Sequence, residues 1–365
     1  MSASVWTRAA AARARFDEGA RLPVIIARDV VPIDPAHDVW DMWPIARRDG
    51  RTAMIGGRDW WFFLAVPHAP DPEARHDAAR IHLYSRGPDG WHAHGPAFPD
   101  GFAPGTREWS GSAVIDDDDT RLTMYFTATG DPARFSQRLF ETTGRFDGGR
   151  LSGWSAPAET VQADGIDYAR TDQDAPLDDR IKGFRDPGYV RDPATGEEHL
   201  LFTGSAGTPG EVHDGIIGLA TRVDDQWALK PPLLAAIGVN SELERPHVLV
   251  RDGLYYLFWS TQAKRFAPGL DAPTGLYGMV ADRFAGPWRP INGSGLVAAN
   301  PDAEPTQAYC WWVTGEGEVI SFVDYWGLGG NAVGDDIARR RDRFGGTAAP
   351  TFHLAFDGDR VRIAR

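Results

Sequence analysis

Short runs rich in apolar and aromatic residues recur along the chain, separated by stretches rich in Asp, Gly and Pro, a pattern that predicts many short β-strands. One type of run returns: Trp60-Trp61-Phe62-Phe63-Leu64, Thr123-Met124-Tyr125-Phe126-Thr127, His199-Leu200-Leu201-Phe202-Thr203, Tyr255-Tyr256-Leu257-Phe258-Trp259 and Val319-Ile320-Ser321-Phe322-Val323. With the phenylalanines at 62, 126, 202, 258 and 322 as markers, the steps are 64, 76, 56 and 64 residues. That is a repeat with loop insertions. Its length suits a four-stranded propeller blade with enlarged loops. Turn signals such as Asp147-Gly148-Gly149, Asp252-Gly253 and Asp357-Gly358-Asp359 fall between the strands. The expectation is an all-β, five-bladed β-propeller over residues 24–365 with a central funnel-shaped site. Residues 1–23 form an N-terminal segment; its alanine-rich run Thr7–Asp17, with Thr7 as cap, predicts a short helix packed on the outside.

Composition narrows the picture. The 365 residues are 42% hydrophobic and include 14 Trp and 18 Phe, enough for a sizeable core. The 41 Gly and 27 Pro punctuate the chain too often for long helices. A net charge of −13 repels polyanions, so nucleic acid and anionic membranes are not expected partners. The single cysteine, Cys310, excludes an internal disulfide and a Cys-rich zinc site. Arg8, Arg13 and Arg15 interrupt any secretory apolar core, and no apolar run is long enough to span a bilayer. The expected location is cytoplasmic, or outside the cell by a route without a recognisable signal peptide.

Chemistry enters through the polar group that precedes each marker. Val39-Trp40-Asp41-Met42-Trp43-Pro44 sets a carboxylate among large rings, which is costly unless its charge is used. Ser110, Asp186, Glu244 and Tyr309 stand in the same relation to later markers; the separations are 21, 16, 16, 14 and 13 residues. One strand and one hairpin fit the shorter intervals, so each group is expected to begin the strand before its marker, the one lining a propeller axis. Five such starts converge on one mouth. Three are carboxylates, Asp41, Asp186 and Glu244, and glycoside cleavage needs one carboxylic acid and one carboxylate. Crowding them should raise at least one pKa, as a general acid near neutrality requires. Arg185 and Arg245 would hold the others ionised. Trp40, Trp109 and nearby rings would form an apolar floor for sugar faces.

Trp40-Asp41-x-Trp43-Pro44, Glu108-Trp109-Ser110-Gly111-Ser112-Ala113, Arg185-Asp186-Pro187 and Glu244-Arg245-Pro246 together resemble the motifs of glycoside hydrolase family 68, which comprises levansucrases, inulosucrases and bacterial β-fructofuranosidases. The resemblance runs in order from about residue 24 to 360. It implies a five-bladed propeller and a retaining mechanism on sucrose, with sugar acceptors as further partners and no cofactor or metal. On the matching positions, Asp41 is the nucleophile, Glu244 the general acid/base and Asp186 the transition-state stabiliser. Ser110 would bond the nucleophile. Arg185, Glu242, Arg245, Gln307 and Tyr309 would bind sugar, and Trp40 and Trp109 would wall the fructosyl pocket.

Three departures bear on the outcome. Many polymer-forming members carry Arg or His directly after the Ser that closes the strand following the acid/base. Here the stretch is Ser260-Thr261-Gln262-Ala263-Lys264, and Cys310 stands where a serine is expected. The calcium ligand set of Gram-positive members is also missing. These features point to hydrolysis with short-chain transfer rather than long levan synthesis. Arg191-Asp192-Pro193 and Asp116–Asp119 read as turns, His92-Ala93-His94 lacks a third zinc partner, and Gly327–Gly330 is misplaced for a phosphate cradle. The acidic stretch Asp164, Asp167, Asp172, Asp174, Asp178 and Asp179 could bind a cation only where its oxygens form a defined cage. Another propeller glycosidase, such as an arabinan-cleaving enzyme, and a non-catalytic sugar-binding propeller are the competing readings.

Overall fold

The computed structural model describes residues 3–130, 136–170, 182–208 and 210–364. Asp172, Asp174, Asp178 and Asp179 of the acidic stretch lie outside these residues. The strands group into five blades, numbered I to V in chain order, each with its earliest strand innermost. Those inner strands are His37–Ala46, Arg107–Ile115, Phe184–Arg191, Glu244–Arg251 and Ala308–Val313. The five marker phenylalanines all lie on the second strands, Arg58–Pro67, Arg121–Thr129, Glu198–Ser205, Leu254–Thr261 and Glu318–Tyr325. These strands are almost wholly buried because sheets cover them on both faces, which explains their unbroken apolar sequence. Blades I and II share one sheet through a parallel pairing of Ile45 with Ala113 and Ala46 with Val114.

The N-terminus is more tightly involved than an outer helix would be. Ser4–Val5 adds a parallel strand to the outer edge of blade III, with Ser4 opposite Leu234. Trp6 is 0% exposed; its indole meets Trp259 edge-on at 5.3 Å and donates to the Ser294 carbonyl at 2.9 Å. Thr7 does cap a helix, accepting from Ala10 N at 3.2 Å, but the helix covers only Arg8–Ala11. Beyond it the chain tightens into 3-10 turns at Ala14–Phe16 and Glu18–Ala20. Alanine propensity is overridden there by packing, since Ala10, Ala11, Ala14 and Ala20 all enter the core shared with blades III and IV.

Candidate active site

Each inner strand carries a β-bulge at the same depth. The register slips between Trp40 and Met42, Trp109 and Gly111, Arg185 and Gly188, Glu244 and His247, and Tyr309 and Trp312. At a bulge two or more residues oppose one, the strand bends, and a side chain is re-aimed. Four of the five bulges hold a non-glycine residue at positive φ: Asp41 (43°), Asp186 (62°), Arg245 (55°) and Cys310 (56°). Such conformations are strained and gather at functional sites. The alignment also corrects the sequence reading. Glu244 and Tyr309 are not equivalent to Asp41, Ser110 and Asp186. They sit one residue earlier, pairing with Ser260 and Phe322 just as Trp40, Trp109 and Arg185 pair with Leu64, Thr127 and Thr203. The bulge positions proper are Asp41, Ser110, Asp186, Arg245 and Cys310. Nor do all these groups begin their strands: Asp41 and Ser110 lie well inside theirs.

The bulges bring the expected residues into one ionic array. Arg185 Nη2 donates to Glu244 Oε1 at 2.9 Å and lies 3.6 Å from Glu242; its Nε lies 3.6 Å from Asp186 Oδ2. The Tyr309 hydroxyl donates to the other oxygen of Glu244. Asp186 accepts from Ser110 Oγ at 2.7 Å and from Thr203 Oγ1 at 2.9 Å, while its own amide donates to Thr127 Oγ1 at 2.9 Å. Across the mouth, Arg245 Nη1 lies 3.9 Å from Asp41 Oδ1, and Nη2 donates to the Met42 carbonyl at 2.5 Å. Arg245 is held between the rings of Trp43 (5.7 Å) and Trp312 (5.5 Å). His247 latches this bulge to blade V: Nδ1 donates to the Arg245 carbonyl and Nε2 accepts from Val313 N, each at 3.0 Å.

Charge is distributed unevenly. Burial raises the Asp41 pKa to about 6; nearby Asp186 and Glu244 add to the rise, against Arg245 and a hydrogen bond from the Cys310 thiol. Burial also raises Glu244, but Arg185 and the Tyr309 hydroxyl outweigh it and leave its pKa below the usual value. Glu242 is raised by burial and by Glu244, against Arg185 and Arg265. The expected upward shift is therefore present, but it falls on Asp41 and Glu242 and not on the candidate acid. The guanidinium against Glu244 is the reason.

Three further expectations change. Ser110 bonds Asp186 rather than Asp41, because both neighbouring bulges turn their polar groups toward the same point; the donor on Asp41 is Cys310. Gln307 is 1% exposed and spends its amide on the N-terminal segment, donating to Pro23 O and accepting from Ile25 N, each at 2.8 Å. It is a structural tie. Of the two expected aromatic walls, Trp109 is partly open, whereas Trp40 is 1% exposed beneath His76 (6.0 Å, edge-on) and Arg75 (5.8 Å).

Sequence reasoning passed over several residues that shape the mouth. Arg265, on the 3-10 turn Ala263–Arg265, places Nε 2.8 Å from Glu242, so a guanidinium does reach this side although none directly follows Ser260. The rim turn Pro72–Asp77 carries Glu73, which accepts from the Tyr325 hydroxyl at 2.5 Å, and His76, whose carbonyl accepts from Trp109 Nε1 at 3.4 Å. Asp324, near Arg75, Glu73 and Asp41, has its pKa raised by burial to about 7. Asp71 before Pro72, which caps this turn by accepting from Glu73 N at 3.0 Å, is the sequence signal that would have found it. The turn readings agree with local geometry: Asp192 accepts from Ala194 N at 2.9 Å, and Asp116 from Thr120 N at 2.9 Å.

A propeller with four carboxylates and three arginines around one axial mouth defines a carbohydrate-active protein of the paired-carboxylate kind. The sequence profile of glycoside hydrolase family 68, described as Levansucrase/Invertase, matches residues 1–215 and 210–364, and the chain belongs to this family. The levansucrase of Rahnella aquatilis is 30% identical over 405 aligned positions, covering 99% of this chain and 94% of its own. That of Zymomonas mobilis is 32% identical over 395 positions, covering 98% and 89%. Among solved structures, the inulosucrase from Halalkalicoccus jeotgali bound to kestose superposes with a TM-score of 0.89 at 38% identity, covering 99% and 95%.

Proposed function

We propose that this protein is a retaining, sucrose-cleaving β-fructofuranosidase and fructosyltransferase. The observation that carries the reading is the single array in which Arg185 links Asp186 to Glu244 while Asp41 faces Arg245. Asp41 attacks the anomeric carbon of the fructosyl unit as the bond to glucose breaks, and Glu244 gives its proton to the departing glucose oxygen. Water or a sugar hydroxyl then attacks the fructosyl–Asp41 ester, Glu244 takes the proton back, and Asp41 is freed. In the transition state of each step the positive charge developing on the ring is stabilised by clustered carboxylates. Each Asp186 oxygen already accepts one protein hydroxyl and keeps lone pairs for fructose hydroxyls.

Arg245 Nε and Nη1 and Trp40 Nε1 are buried without a protein hydrogen-bond partner. Such groups call for a polar ligand, and a sugar supplies many oxygens. The acceptor side favours short products. Arg265 is held on Glu242 and is not free to grip an incoming chain. Incubation with dilute and concentrated sucrose tests the proposal: the expected products are glucose, free fructose and short fructo-oligosaccharides. A high-mass fructan as main product would refute the acceptor-side reading and favour a long-chain levansucrase. Turnover of arabino-oligosaccharides without sucrose cleavage would refute the substrate.

A further inference from the structure

Where blade I meets blade V, a second cluster that shares no residue with the axial array has the donor set of a transition-metal centre. Asp34, His37 and His82 each offer one ligand atom, and the three atoms lie within 4.8 Å of one another. Asp34 is 6% exposed and firmly oriented: it accepts from Ala36 N and from the Tyr84 hydroxyl, each at 2.9 Å, and His37 Nδ1 lies 3.0 Å from its Oδ2. Those contacts account for Asp34 and for one side of His37. They leave His82 unexplained. Its ring is 6% exposed and stands 4.9 Å from the His37 ring at 66°, yet its buried Nδ1 has no hydrogen-bond partner. An orphaned nitrogen in the interior costs free energy unless something not made of protein meets it.

We propose that Asp34, His37 and His82 bind a divalent transition metal of the zinc type, with water completing a tetrahedral shell. Two imidazoles and one carboxylate suit zinc, whereas calcium and magnesium ask for six or more oxygens. When the metal takes the place between His37 and Asp34, the proton on that side of a neutral ring moves to the other ring nitrogen, and a charged ring gives its extra proton to solvent. The His37 side chain is 26% exposed, which opens the fourth position to water. The Tyr84 hydroxyl and Ala36 amide then act as the outer ring of bonds that fixes the carboxylate.

The position gives the metal a task. Among the described residues, blade I is hydrogen-bonded in a sheet only to blade II, so no shared strand closes the ring against blade V. The segment carrying Asp34 is instead pinned to blade V, where Thr347 Oγ1 accepts from Ile33 N at 3.0 Å and donates to Val31 O at 2.8 Å. His37 opens the inner strand of blade I, and His82 lies on that blade's third strand, Arg80–Gly87. An ion at this point clamps a strap held by the last blade onto the first.

The test uses the full chain after chelator treatment, titrated with zinc by calorimetry, with Tm measured with and without the ion and no sucrose present. Expected are one saturable equivalent in the micromolar range or tighter, a higher Tm with zinc, and a tetrahedral visible spectrum with cobalt. His37→Ala and His82→Ala should each weaken binding at least about ten-fold and remove the Tm gain, and Tyr84→Phe should weaken it by about ten-fold. Should His82→Ala fail to fold, His37→Ala at the open edge decides alone. His94→Ala removes an imidazole from the separate pair His92 and His94 on the same blade and should change nothing. Absence of saturable binding, or an equivalent lost in His94→Ala but kept in His37→Ala, would overturn the proposal.

Discussion

Asp41 and Glu244 are both carboxylates, yet without substrate a single proton shared between these two rests on Asp41. In the proposed mechanism cleavage needs that proton on Glu244. The reactive form is therefore the minor arrangement of a singly protonated pair, which exists only between the two titrations. Above pH about 6 Asp41 also ionises and no proton is left for the leaving oxygen. Below the lowered value of Glu244 both groups are protonated and no nucleophile remains. A pH profile of kcat/KM is expected to be bell-shaped, with its maximum on the acid side of 6 and its alkaline limb near 6. The Cys310 thiol, kept protonated by burial, donates to Asp41 and lowers its pKa. Cys310→Ala should move the alkaline limb to higher pH and Cys310→Ser should restore it. Asp41→Asn and Glu244→Gln should each reduce sucrose cleavage by a factor on the order of 10³ with unchanged circular dichroism, since they remove chemistry and not core. At this scale the motif residues were legible because each stands a similar interval before an aromatic marker strand. Partner choice was not: the sequence does not reveal that Ser110 reaches Asp186, or that Gln307 is spent on Pro23 and Ile25.

At the scale of the strand, the bulge decides which side chain looks into the mouth. Gly111 shows how tight the device is: a Cβ there would stand 1.8 Å from the Tyr125 carbonyl oxygen, with no flexible side chain to yield. Gly111→Ala should destabilise the protein by about 1–3 kcal/mol or more, seen as a lower Tm, and should reduce activity by displacing Ser110. The aromatic marker strands were readable because burial on both faces writes itself as an apolar run. The bulges were half readable. Pro187 and Pro246 directly follow Asp186 and Arg245, and proline inside an inner strand is tolerated mainly at bulges. Counting residues back from the marker could not detect a one-residue slip, so Glu244 and Tyr309 were aligned with the wrong neighbours. The helix expected over Thr7–Asp17 shortened to Arg8–Ala11 because tertiary contacts outrank propensity in so brief a segment.

For the molecule as a whole, five blades were countable from the repeat, whereas the way the ends engage them was invisible. Nothing in Ser4-Val5-Trp6 marks it as a strand of blade III followed by a plug beside blade IV. Trp6→Ala should cost about 3–5 kcal/mol, measured as a fall in Tm or in the denaturation midpoint, while kcat per folded molecule stays close to wild type.

The same pairing sets a timetable for synthesis. Ser4 must wait for Leu234 to leave the ribosome before its backbone finds a partner, and the seat for Trp6 is incomplete until Trp259 and Ser294 have followed. Residues made well before their partners are thus among the last to settle. Nascent chains halted before about residue 235 should be protease-sensitive around Ser4–Trp6, and this segment should become protected only as the fourth blade is translated.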